Sequence, residues 1–90
     1  MSPTISMFYG IIVSMYWERG ELYHTPHIHA AYQEHTGVFS LPEGELLAGS
    51  LPPKQTKLMQ AWIALHDEEL LANWTLAMDD EQLFSIDPLK

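Results

Sequence analysis

Three histidines fall within six positions in the stretch HTPHIHAAY, at His24, His27 and His29. Residues two apart on a β-strand project from one face, about 6–7 Å apart at the backbone, so the imidazoles of His27 and His29 can reach a common point. Two chemistries are open to such a pair. As ligands they would suit zinc, nickel, copper or ferrous iron, with His24 swinging in from the preceding loop and Glu18, Glu21 or Glu34 completing the shell. As groups that titrate near neutrality they would act as base and acid in turn, with Arg19 or Lys54 stabilising a phosphoryl oxyanion, as in a small ribonuclease. A plainer alternative stands beside both: His27 and His29 occupy a solvated sheet face, and His24 bonds a backbone carbonyl in the turn before Pro26.

A fourth histidine, His66, lies in an apolar helical stripe and therefore points inward, where a single hydrogen bond usually satisfies it. Ile28, Ala30 and Tyr32 form the apolar alternation of the histidine strand, which places His27 and His29 on the face away from the helices. Only if helices pack across the histidine face do His24, His27, His29 and His66 converge as a metal set.

The elements that must position these residues follow from periodicity. Ile5, Met7, Tyr9, Ile11, Val13, Met15 and Trp17 alternate without exception, which predicts a strand with one buried face, bent or bulged at Gly10. Glu18 to Pro26 reads as a loop, His27 to Glu34 as a second strand, and His35-Thr36-Gly37 as the turn before a third strand over 38–41. Leu46 to Leu51 adds a short fourth strand. Pro52-Pro53 then opens a stretch free of glycine and proline, in which Met59, Ile63, His66, Leu70, Trp74 and Ala77 recur at helical spacing. A single helix from Pro53 to Met78 would be about 39 Å long, more than the roughly 30 Å width of a 90-residue globule. A break is therefore expected near His66-Asp67, with Asp67 as the N-cap of a second helix. Trp62 and Trp74 fall among the core positions, and Asp67-Glu68-Glu69 makes an acidic first turn favoured by the helix dipole. Leu83 to Ile86, stopped by Pro88, reads as a last strand. The order is β-β-β-(β)-α-α-β, an α+β fold with a small antiparallel sheet and two amphipathic helices, or one kinked helix, packed on one face.

Ninety residues, 47% of them hydrophobic, suit one domain over residues 1–90. With no cysteine, any metal site must use nitrogen and oxygen ligands, and a reducing cytoplasm is the natural setting. Twelve acids against four bases leave a formal charge of −8. Arg19, Lys54, Lys57 and Lys90 form no stripe, so the charge disfavours nucleic acid unless Arg19, Lys54 and Lys57 converge, and it favours a basic partner, beside the ordinary reading of a solvated acidic surface. No apolar run is long enough to span a bilayer, and the first residues do not read as a signal peptide.

PTIS, FYGIIVSMYW, HTPHIHAAY, GELLAGSLP and AWIALHDEELLANW together resemble a family of small bacterial domains known only as domain of unknown function 4160. PHIHA and LHDEELLANW are the most specific parts. By that resemblance Pro26, His27, His29, Ala30, Tyr32, His66, Leu70, Asn73 and Trp74 occupy family-pattern positions, and His24 matches a histidine that precedes a proline pair, here Thr25-Pro26. The resemblance implies a protein partner encoded nearby, in an arrangement of toxin–antitoxin type. Two functions follow from the sequence. One is a cytoplasmic interaction module, using an open sheet face or edge to hold a partner or a second copy of itself. The other is a histidine-dependent hydrolase or nuclease, with or without a divalent metal, acting through His24, His27 and His29.

Overall fold

The computed structural model describes residues 3–17 and 24–90. They form β1 (Thr4–Phe8), β2 (Ile11–Ser14), β3 (His27–Tyr32), β4 (His35–Ser40), β5 (Leu46–Gly49), α1 (Pro53–Leu65) and α2 (Asp67–Met78). Every strand pairs antiparallel with its neighbour in sequence, giving one five-stranded sheet in the order β1-β2-β3-β4-β5. The α+β architecture read from the pattern is thus the one found, with differences in detail that have local causes.

The long first strand is two strands. Tyr9 and Gly10 take φ of 49° and 78°, the paired left-handed residues of a two-residue hairpin turn, whose twist matches that of the strands it joins. Phe8 then faces Ile11 directly, so the buried side passes from odd positions in β2 to even positions in β1. Ile11, Val13 and Met15 are buried as expected, whereas Phe8 replaces Met7 and Tyr9, which are exposed. Ile5 regains the core because the register slips between Thr4 and Ser6. The next hairpin turns two residues earlier than predicted, with φ of 53° at Gln33, so that His35, Thr36 and Gly37 belong to β4.

The helical segment breaks where length requires it. The molecule measures 33 Å along its longest axis, too short for a straight helix of about 39 Å. His66, at φ −123° and ψ 24°, ends α1 and caps the start of α2. Asp67 is not the N-cap: it is the first residue of α2, and its Oδ1 accepts the Glu68 N–H at 2.8 Å. Met59, Trp62, Ile63, Leu70 and Trp74 from the helices form one core with Ile11, Val13, Met15, Ile28 and Phe39 from the sheet. Burying each such side chain contributes about 1.5–3 kcal/mol. Among the described residues no helix is long and apolar enough to cross a membrane.

Leu83 to Ile86 is not a strand. Both backbone groups of Phe84 are taken by the Asn73 side chain, whose Nδ2 donates to the Phe84 carbonyl at 2.8 Å and whose Oδ1 accepts the Phe84 N–H at 3.1 Å. Ile86 reaches the sheet edge, where its N–H donates to the Ile5 carbonyl at 2.9 Å. The turn before this tail closes α2 with bonds from Glu81 N–H to the Leu76 carbonyl and from Asp80 N–H to the Ala77 carbonyl. Asp80 takes φ 57° there, in a position that glycine usually fills.

Gly49 ends β5 at φ 67°, and a Cβ on it would collide with the Thr36 carbonyl oxygen, the acceptor for Ser50 N–H. Gly49→Ala should therefore detach β5 from β4 and destabilise the fold by about 2–4 kcal/mol. Urea unfolding of the two proteins checks this, and an unchanged midpoint would contradict it.

Candidate functional site

The sequence-predicted pair does come together, and it is covered. His27 and His29 stand at the start of β3, opposite Ser40 and Val38 of β4. Their ring centroids are 5.3 Å apart in an edge-on arrangement. Trp74 of α2 lies 5.0 Å from the His27 ring, and Tyr16, just past β2, stacks on His29 at 4.4 Å and 12°. The Tyr16 hydroxyl stands 3.4 Å from His29 Nδ1. Four rings thus run in series, Trp74, His27, His29 and Tyr16, from the second helix to the end of β2.

This corrects the expectation that His27 stands on a solvated face away from the helices. Its ring is fully buried, and a helix residue packs on it. Strand alternation assigns faces along the middle of β3, but His27 is its first residue, where Trp74 can cover it from the side of the layer. His27 Nδ1 lies 2.9 Å from the Thr25 carbonyl. A carbonyl only accepts, so Nδ1 carries hydrogen, and in the neutral ring Nε2 holds the lone pair. The Nε2 atoms of both histidines are closed to solvent. As folded, the pair is a polar junction between α2 and the sheet, with His27 buried and His29 half-buried, and acid–base or ligand chemistry at their Nε2 atoms requires the cover to open.

His66 does not join the pair. Its ring packs on Trp62 at 5.6 Å, and Nδ1 bonds Glu69 Oε1 at 2.8 Å across one turn of α2. The helix residue that reaches His27 is Trp74. His24 is exposed at the start of the histidine stretch, Glu34 is exposed in the β3–β4 turn, and Lys54 is exposed in the first turn of α1. Glu18, Arg19 and Glu21 lie outside the described residues. Among the described residues no group of three or more His, Cys, Asp or Glu side chains is placed to hold a metal ion. The set His24, His27, His29 and His66 therefore divides into a neighbouring pair, of which His27 is buried and His29 half-buried, a helix-junction residue and an exposed one.

Sequence reasoning missed Tyr16, which appears only as an even-numbered residue within an odd-numbered apolar series. It also treated Trp74 as core alone, and Asn73 as no more than a patterned position. The missing signal was the pairing register: Ser14 faces His29, which carries Tyr16 to the level of the histidines.

A family model described as a domain of unknown function, DUF4160, matches residues 10–75, a span that includes all four rings. No curated protein and no solved structure matches.

Removing the His27 ring leaves a cavity against Trp74 and an unsatisfied Thr25 carbonyl. His27→Ala should lower stability by roughly 2–4 kcal/mol, whereas His24→Ala, at an exposed site, should stay within about 0.5 kcal/mol of the parent. Thermal unfolding followed by circular dichroism distinguishes them, and equal melting temperatures would refute the structural role given to His27.

Proposed function

Starting from the fact that this chain belongs to the DUF4160 family, a domain of unknown function, we propose that it is a protein-interaction module. In this reading it works in the cytoplasm as one component of a toxin–antitoxin-like pair, holding a basic protein partner on the helix-free face of its sheet. The observation that carries the reading is a row of side chains running across four strands in register: Met7 faces Ile12, Ile12 faces Ala31, and Ala31 faces Thr36. Met7 is 63% exposed and Ile12 44%, so the row opens to solvent an apolar surface that the core does not use. Apolar side chains clustered on an open sheet face are the usual anchors of a protein contact.

Charge supports the partner's chemistry. Residues 3–17, which include the β1–β2 hairpin, contain no charged residue, while the whole chain carries −8. A basic protein would be drawn in by the acidic remainder and anchored on the uncharged hairpin, with the charge governing the rate of approach and the apolar row governing residence. The toxin–antitoxin pairing comes from the family resemblance. The alternative, a histidine-dependent hydrolase or nuclease, has less support because both histidine Nε2 atoms are closed to solvent.

Met7→Glu and Ile12→Glu test the reading, because both side chains are exposed and the fold should tolerate the change. Each variant should keep the parent melting temperature and weaken binding to the product of the adjacent gene about 10- to 100-fold, measured by calorimetry. The parent's association rate should fall steeply with added salt. If both variants bind as tightly as the parent, the sheet face is not the docking surface. If the parent shows no affinity for that product and neither causes nor relieves growth arrest, the pairing itself is wrong.

A further inference from the structure

The last residues of the chain lie across the fold as an extended strap, and the body reads that strap largely through its backbone. The Asn73 side chain bonds both the N–H and the carbonyl of Phe84, the Trp62 indole N–H donates to the Asp87 carbonyl at 2.8 Å, and the Ile5 carbonyl accepts the Ile86 N–H. Ile86 is buried in the core, and Leu83 and Leu89 pack against it. Asn73 and Trp62 are themselves buried, on different helices, so the groove is a built receptor for an extended segment. A single short turn joins strap to body. It sets Asp79, Asp80 and Glu81, all exposed, at the carbonyl end of α2, where the helix dipole disfavours negative charge and no basic residue lies in the last turn. Asp80 is held at φ 57°, left-handed without being glycine.

We infer that residues 81–90 exchange between two copies of this chain, the strap of each seated on Ile5, Trp62 and Asn73 of the other. The bonds of Phe84, Ile86 and Asp87 all run between strap and body, so a strap from a second copy satisfies the same donors and acceptors, and only the turn bond from Glu81 N–H to the Leu76 carbonyl is given up on opening. What differs between the closed and exchanged forms is the hinge. Folding the strap back holds three carboxylates, one of them on the left-handed Asp80, in one tight turn, and opening it separates them. Short hinges under strain are the usual origin of such exchange. The occupant is a second copy because its strap carries the sequence that fits: an isoleucine for the core position, with Phe84 and Asp87 at the spacing that Asn73 and Trp62 already bind. This inference does not depend on the partner reading above, which rests on the apolar row from Met7 to Ala31 and meets the strap groove only at Met7.

The chain has no cysteine, which makes the test direct. Thr4 and Ser85 line the same groove, one on the body and one on the strap. Full-length Thr4→Cys protein is mixed with full-length Ser85→Cys protein, incubated over a concentration series, and treated with a short bis-maleimide. Exchange predicts a covalent heterodimer on a denaturing gel that increases with concentration, and no comparable product from either variant alone. A hinge variant of both proteins, carrying Asp79→Asn, Asp80→Gly and Glu81→Gln, should reduce the product about tenfold, since it relieves the turn without touching the groove. High salt should reduce it too, by screening the carboxylates. A mixture that yields no more dimer than the single variants, up to millimolar concentration, overturns the inference. So does a hinge variant that dimerises as well as the parent.

Discussion

Trp62 is the residue through which the layers of this protein are joined. Its ring is fully buried, lies 5.2 Å from Phe8 of β1 and 5.6 Å from His66 at the helix junction, and its indole N–H is satisfied by the Asp87 carbonyl in the C-terminal strap. A large aromatic ring supplies the apolar area, and its one polar atom must find a partner once buried. The sheet edge, the break between the helices and the course of the strap therefore depend on one side chain. A straight helical segment could not bring both helices over a molecule 33 Å long, so the break at His66 and the placement of Trp62 one turn before it are parts of the same packing solution.

The histidine pair illustrates how burial changes what a residue type means. Two imidazoles at strand spacing are compatible with ligation or proton transfer only if their ring nitrogens meet a ligand or substrate. Here His27 is bonded to the Thr25 carbonyl and covered by Trp74, His29 lies under Tyr16, and the Nε2 atoms of both are closed to solvent. Polar rings inside a stack of aromatics fix the approach of α2 to the sheet with more direction than aliphatic contacts would, since hydrogen bonds and ring geometry both constrain them. The apolar row from Met7 to Ala31 has the opposite history. Periodicity assigns Met7 to the core, yet it lies with Ile12 and Ala31 on the open face, which makes that row the more informative surface.

Within the fold, what was legible and what was not divide by sequence distance. The helices, the strands and the core tryptophans rest on periodicity, which a window of a dozen residues contains, and the break between the helices rests on total chain length. The errors arose at turns. Tyr9 is not a residue type that announces a left-handed turn, yet it takes φ 49° beside Gly10, and that one event moved Met7 out of the core and Phe8 into it. The predicted strand at Leu83 to Ile86 failed for a similar reason: a side chain eleven residues earlier, Asn73, had claimed the backbone groups that a strand would need.

The amino-acid sequence by itself determined the fold class, the family and the nearness of His27 to His29, because each follows from local spacing or from motif identity. Only the tertiary structure decided that Trp74 rather than His66 meets that pair, that the Nε2 atoms of the pair are closed to water, and that Met7 and Ile12 face outward. Those outcomes depend on register across turns and on which ring of a helix reaches which strand. Such contacts form between distant residues whose positions are set by the packing of the whole core, and no local pattern carries them.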